Sequence, residues 1–281
     1  MTGDVRETTM RPPVPRNERG VALLIVLLVT ALLIALIFEF SYATRISLNS
    51  AVNFRDSQRA YFLARSGIYA FIKYGDKLRD VYIPQGEWGV VPLISSGETE
   101  VRIKWESEQG KISIPLVTRD NRAHEMLRQL FQIKQIDQDI LDSNMVEKKN
   151  FNLVNELHTV MMNDENYNKV APYVTVSPVL SINVNYASRE VLQSLCLSLG
   201  KNDGVVEMIV NKRKTQPYAS KQEILDTPGM DSMVASYLDV TSTIFRVYSY
   251  ATVGGYTKQI EAIVNVSNLP PLSPVLYWRS L

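Results

Sequence analysis

The chain has 281 residues with 30 Lys and Arg against 29 Asp and Glu, a formal net charge of +1. Balanced charge excludes a global polyelectrolyte field of the kind that draws a protein to nucleic acid, and the length allows one membrane segment plus one large or two small soluble domains. Cys196 is the single cysteine, which excludes an intramolecular disulfide and reads as a small buried hydrophobe.

Residues 1–20 mix charged side chains with Pro12, Pro13 and Pro15 and read as an unstructured cytoplasmic leader. At Gly20 the polar leader meets an almost unbroken apolar run, Val21 to Phe38, whose length suits a helix crossing a hydrocarbon core. Three readings compete: a plain anchor, a secretory signal peptide, and a prepilin-type signal whose apolar run survives processing. A signal peptide needs a small-residue site after the run. Ser41 and Ala43 offer a poor one beside Phe40 and Glu39. A glycine at the polar-to-apolar junction instead fits a peptidase working at the cytoplasmic membrane surface. Arg6, Arg11, Arg16 and Arg19 precede the run and place the leader in the cytoplasm, with the later residues outside it in a single-pass arrangement.

The helical pattern continues past the membrane run. Ile46, Val52, Tyr61, Ala64, Ile68, Phe71 and Ile72 recur at helix-compatible spacing, and no proline interrupts Val21 to Tyr74. Residues 21–74 are therefore expected to form one transmembrane and stem helix. Three short segments follow, Gly86 to Ile94, Gly97 to Glu106 and Gly110 to Ile114, expected to form a small sheet against the stem. Val101, Ile103 and Trp105 alternate as in a half-exposed strand.

Arg122 to Leu141 carries apolar residues at near-helical spacing. A second helical block opens after Asn183 and Asn185, with Ser188 as an N-cap, and continues through Val205 to Lys214 and Ser220 to Leu225; Ser220 to Glu223 matches a capping box. Phe151 to Leu157 echoes Tyr218 to Ile224, which suggests two related helical hairpin units. The tail returns to strands at Ile244 to Val253 and Thr257 to Val266 around Gly254-Gly255-Tyr256, with an edge strand at Pro274 to Arg279. The expected organisation is α+β: residues 75–118 and 241–281 form one domain on the stem, and residues 119–240 are an inserted all-α domain of helix-hairpin-helix-like units.

No catalytic signature is present. His124 and His158 make no zinc pair, and no nucleophile elbow, phosphate loop or dinucleotide fingerprint occurs. The rival to a protein–protein role is a membrane-anchored helix-hairpin-helix protein of a DNA-uptake or type IV pilus apparatus, reading phosphates through the glycines of Leu199 to Gly204. Residues 181–240 carry six basic and seven acidic side chains, the wrong balance for a phosphate-binding face, and Lys212-Arg213-Lys214 reads as a solvated helix end. No nucleic acid is expected.

In order along the chain, Arg19-Gly20-Val21-Ala22-Leu23-Leu24, the long stem, Ser181 to Ser188 before a helical block, Phe245-Arg246-Val247 and Leu276-Tyr277-Trp278-Arg279 resemble general secretion pathway protein K, the large minor pseudopilin of type II secretion. The resemblance implies a pilin-like fold, cleavage after Gly20 by a prepilin peptidase and N-methylation of Val21. Ile25 stands where most pilins carry glutamate, a departure the family shares. A tip subunit has no neighbour above whose terminal amine that carboxylate would neutralise, so an apolar residue avoids an uncompensated charge in the bilayer. The resemblance further implies an inner-membrane protein with a periplasmic C-terminal domain. Its expected partners are minor pseudopilins I and J and, through the tip complex, the major pseudopilin; its role is to initiate assembly and cap the filament. No cofactor is required, but family members can bind calcium, for which Asp137, Asp139 and Asp142 are the candidates here.

Overall fold

The structure is a computed structural model that describes residues 18–78, 89–117, 120–142, 151, 153–161, 163–267 and 274–281. Its contacts divide it into Met1–Arg55 and Asp56–Leu281. Helix α1, Glu18–Tyr74, runs through both, as its unbroken pattern predicts.

Within the first unit, the apolar side chains from Val21 to Phe40 are exposed, including Leu24, Leu28 and Phe38. This is a helix apolar on every side, long enough to cross a membrane. Two of its hydroxyls are satisfied locally, Thr30 Oγ1 donating to the Val26 carbonyl at 2.9 Å and Thr44 Oγ1 to that of Phe40 at 2.8 Å. Such back-bonding is what a hydroxyl needs where water is absent.

The second unit begins with the remainder of α1. Ala60, Ala64, Ile68 and Phe71 are buried at spacings of four, four and three, a single face. Strand β1 (Gly89–Ser96) carries a bulge between Pro92 and Ile94, as suits a proline on an edge strand, and pairs with β2 (Thr99–Ser107). The chain then leaves the sheet. Ser107 Oγ accepts from Gln109 N at 3.1 Å and caps a one-turn helix, Glu108–Gly110.

Gly110 to Ile114 was expected to join the sheet, and here the expectation fails. β3 (Ile112–Ser113) turns instead into a helical block of α2 (Ile114–Val117), α3 (Asn121–Ile133), α4 (Asp139–Asp142), α5 (Asp164–Val170) and β4 (Val174–Thr175), where β3 and β4 pair in parallel. The place beside β2 is taken by a strand from much later in the chain. The helix expected over Arg122 to Leu141 is also broken, because Gln135 adopts φ 57° and the Ile136 amide turns back to the Phe131 carbonyl at 2.8 Å.

A second half repeats this plan: β5 (Ile182–Asn183), α6 (Arg189–Ser198), α7 (Gly204–Thr215), α8 (Lys221–Leu225), α9 (Ser232–Ser236) and β6 (Leu238–Asp239), with β5 and β6 again parallel. The sequence echo falls at equivalent places in the halves, on a 3-10 turn at Val154–Thr159 and on α8. Each is followed by a capped helix (α5 with Asn163, α9 with Asp231), then a tyrosine and the closing strand. One core, including Leu130, Phe131, Leu192, Leu195 and Leu238, joins the two halves.

The chain returns through β7 (Ile244–Val253), β8 (Tyr256–Asn265) and β9 (Val275–Ser280). Among the described residues the sheet is antiparallel with order β1-β2-β7-β8-β9. Gly254 and Gly255, at φ 55° and 83°, make the two-residue turn; Tyr256, expected in that turn, is the first residue of β8. Val101, Ile103, Trp105, Phe245, Val247, Ala251, Ile260, Ala262 and Val264 face α1 in a second core. Asp56 lies against the Gly254 turn at one end of the sheet, while Phe71 meets Trp105 and Phe245 at the other, where the helical block departs.

Candidate functional site

Gly20, Val21 and Ile25 all lie on α1. Val21 and Ile25 are exposed, and Ile25, the fifth residue counted from Val21, presents an apolar side chain. Among the described residues no other part of the chain is brought against them.

The segment that opens the second half is built differently. Ser188 Oγ caps α6 by accepting from Val191 N at 3.0 Å, and Ser220 Oγ caps α8 by accepting from Glu223 N at 3.3 Å, as expected. Asn183, at the end of β5, and Asn185, just after it, are buried and hydrogen-bonded. Asn183 Nδ2 donates to the Val240 carbonyl and to Ser242 Oγ, and its Oδ1 accepts from Asn185 N. Asn185 reads both backbone groups of Tyr218, at 2.9 Å each. These amides act as rigid staples between the start of the half, the α7–α8 connection and the return to β7.

Arg213 completes that set and corrects one expectation. With Lys212 and Lys214 it reads in the sequence as a solvated helix end; in the fold it is 3% exposed and donates through Nη1 to the carbonyls of Val184 and Ala187 at 2.7 and 2.5 Å. A buried guanidinium is favoured there because it faces backbone carbonyls left without helical partners just before α6. The charge run hid it; only its apolar-side position on α7, four residues after Ile209, marks it out.

The hairpin between α6 and α7 is occupied by its own chain. Gly200 N and Lys201 N donate to carbonyls of α6, and Gly204 N donates to Asn202 Oδ1 at 2.7 Å. Asp203 accepts from Gln193, and Lys201 pairs with Asp231 at 2.8 Å. The amides of Gly200, Lys201 and Gly204 and the Lys201 charge, which a phosphate would need, are thus committed elsewhere.

Sequence reasoning missed the charged cluster at the junction of sheet and helical block. Glu108 is fully buried; its carboxylate accepts from Arg246 Nε at 2.8 Å, Lys111 Nζ at 3.2 Å and the Thr175 hydroxyl. Arg246 also meets Glu261 at 2.5 Å, and Lys111 meets Glu106 at 2.8 Å. Burial pushes the Glu108 carboxyl up, but the Lys111 and Arg246 charges outweigh that and hold it at about 2. Gln109, also buried, accepts from the amides of Thr243 and Ile244 beside it. No sequence signal marks Glu108, a glutamate in a polar turn.

Of the calcium candidates, Asp137 accepts from the Asp139 amide at 3.0 Å at the start of α4, and the Asp142 side chain lies outside the described residues. Among the described residues no group of three His, Cys, Asp or Glu side chains is gathered to hold a metal.

An apolar helix continuing into a stem on an antiparallel sheet, with a helical block inserted between two paired strands, defines a pilin-like α+β protein. Residues 182–241, from β5 to two residues past β6, match the family model of type II secretion system protein K. The fold is shared with a chain of the crystal structure of the GspK-GspI-GspJ complex from the enterotoxigenic Escherichia coli Type 2 Secretion System. That match has a TM-score of 0.60 at 13% identity over 82% of this chain and 98% of that one. No curated protein sequence matches. The matched segment is similar to protein K, and the structural match shows a shared fold.

Proposed function

We propose that the chain is a minor pseudopilin of type II secretion, an assembly part rather than an enzyme. In this reading it is held in the bacterial inner membrane by the apolar half of α1, with its folded unit in the periplasm. A prepilin peptidase cuts after Gly20, and the new terminus at Val21 is methylated. The mature protein joins minor pseudopilins I and J at the tip, helps to initiate the filament and caps it above the major pseudopilin, during export of folded proteins.

The observation that carries this reading is the protein K segment, seated in a block that leaves the sheet at the end remote from Asp56. Bulk at that end of the stem suits a subunit above which no further subunit is added. The occupied amides of the 199–204 hairpin favour it over DNA capture.

The test is mass spectrometry of the protein extracted from membranes, with co-purification of I and J. The expected terminus is methylated Val21; intact Met1, or a terminus near Thr44, overturns the prepilin reading. Salt-sensitive duplex-DNA binding without pseudopilin association overturns the assembly role. Calcium at Asp137, Asp139 and Asp142 is a separate expectation, tested by whether a chelator lowers the melting temperature.

A further inference from the structure

The face of the sheet turned away from α1 carries a row of side chains in register across four strands. Lys104 pairs with Tyr248, Tyr248 with Glu261, and Glu261 with Arg279. Beside this row Tyr250 stands opposite Gln259. Lys104, Tyr248, Tyr250, Gln259, Arg279 and Leu281 line an open cleft of about 440 Å³.

The side-chain charges lining the cleft, Lys104 and Arg279, are both positive. The neighbouring carboxylate in the row, Glu261, has a side chain only 4% exposed and is already shared by Arg246 and Arg279. Arg279 is 41% exposed at its side chain and keeps a buried Nε without an acceptor among the described residues. Lys104 meets no carboxylate within ion-pair distance among the described residues and lies 5.6 Å from the centre of the Tyr250 ring. The side-chain charges at the two ends of the row are therefore both positive, with the Tyr248 ring between them and the Tyr250 ring beside it.

We propose that this face docks an acidic, extended segment of a partner protein lying across the strands. Lys104 and Arg279 are three strand spacings apart, roughly 14 Å, which is about the length of four residues of extended chain. The geometry thus selects carboxylates at positions i and i+4 of one face of the segment, with an apolar or β-branched residue between them over the tyrosine rings. Complementary charge at the ends fixes register, and the aromatic strip supplies contact area. This goes beyond the assembly role and holds or fails independently of it.

The test uses the full chain in detergent micelles, without other pseudopilins, so failure bears on this surface alone. The probe is a fluorescent peptide, Glu-Thr-Val-Thr-Glu-Thr-Val-Thr-Glu, compared with the same peptide carrying Lys for Glu and with duplex DNA. The expected result is saturable binding of the acidic peptide, weakened at high salt and about tenfold or more by Lys104→Glu. Tyr250→Ala should weaken it with the salt dependence retained. Equal binding of the acidic and basic peptides, wild-type binding by a Lys104→Glu protein with unchanged melting, or binding of DNA but not of peptide would each overturn the proposal.

Discussion

Glu108 and Arg246 meet at 2.8 Å although 138 residues separate them in the chain. Glu108 begins the excursion into the helical block and Arg246 lies two residues into the strand that ends it, so this ion pair ties the two ends of the insertion. Removing one partner leaves an uncompensated buried charge. Glu108→Ala is expected to cost about 3–5 kcal/mol of stability, read by denaturant unfolding.

The same pair sets an acid limit. Glu108 titrates at about 2 in the folded chain against a reference of 4.5, so its ionised form is favoured by folding. The stabilisation is complete above about 4.5 and is lost as pH falls from there through about 2. Melting temperature should drop over that window, and less steeply in Glu108→Gln.

Gly67 of α1 packs directly against Ser249 of β7. A Cβ on Gly67 would lie 2.2 Å from Ser249 Oγ. Gly67→Leu should therefore destabilise by about 1–3 kcal/mol, and Gly67→Ala should also destabilise despite alanine's better helix propensity. Ser249 Oγ is buried with no acceptor or donor among the described residues, so Ser249→Ala alone is expected to be near neutral. Combined with Gly67→Ala, it should restore melting temperature. A double variant no more stable than Gly67→Ala would show that the clash is not with the hydroxyl.

Arg213→Ala removes the two hydrogen bonds that hold the Val184 and Ala187 carbonyls. The expected loss is about 2–3 kcal/mol, with hydrogen exchange rising first at residues 184–188.

Cys196 is buried in α6, and that burial pushes its thiol up to about 11. It should be protonated and slow towards a thiol reagent at neutral pH, reacting at full rate only once denaturant is added. Rapid labelling of the native chain would show that α6 opens locally.

What the residues disclosed in advance depended on the range of the interaction. α1, the caps at Ser188 and Ser220, and the Gly254-Gly255 hairpin rest on periodicity and near-neighbour hydrogen bonds, and all were legible. Gly110 to Ile114 was misplaced because its short apolar run is the same whether it pairs with β2 or with Val174–Thr175. The choice lies with Ser107 and Gln109, which turn the chain aside, and with β7, whose longer pairing with β2 fills the vacated place. Arg213 and Glu108 were illegible for the same reason, since a buried charge and a solvated one are spelled alike and only their distant partners tell them apart.

β2 and β7 are neighbours in the sheet, and Ser107 pairs with Phe245 across the point where the helical block begins and ends. The entrance and exit of the block are therefore no farther apart than the two feet of a hairpin. Lengthening a closed loop costs little, about 0.6 kcal/mol per doubling. The block is in this sense an overgrown turn: it can be enlarged, trimmed or exchanged while the strand register beneath it stays fixed, so what is displayed there and what supports it are free to evolve separately.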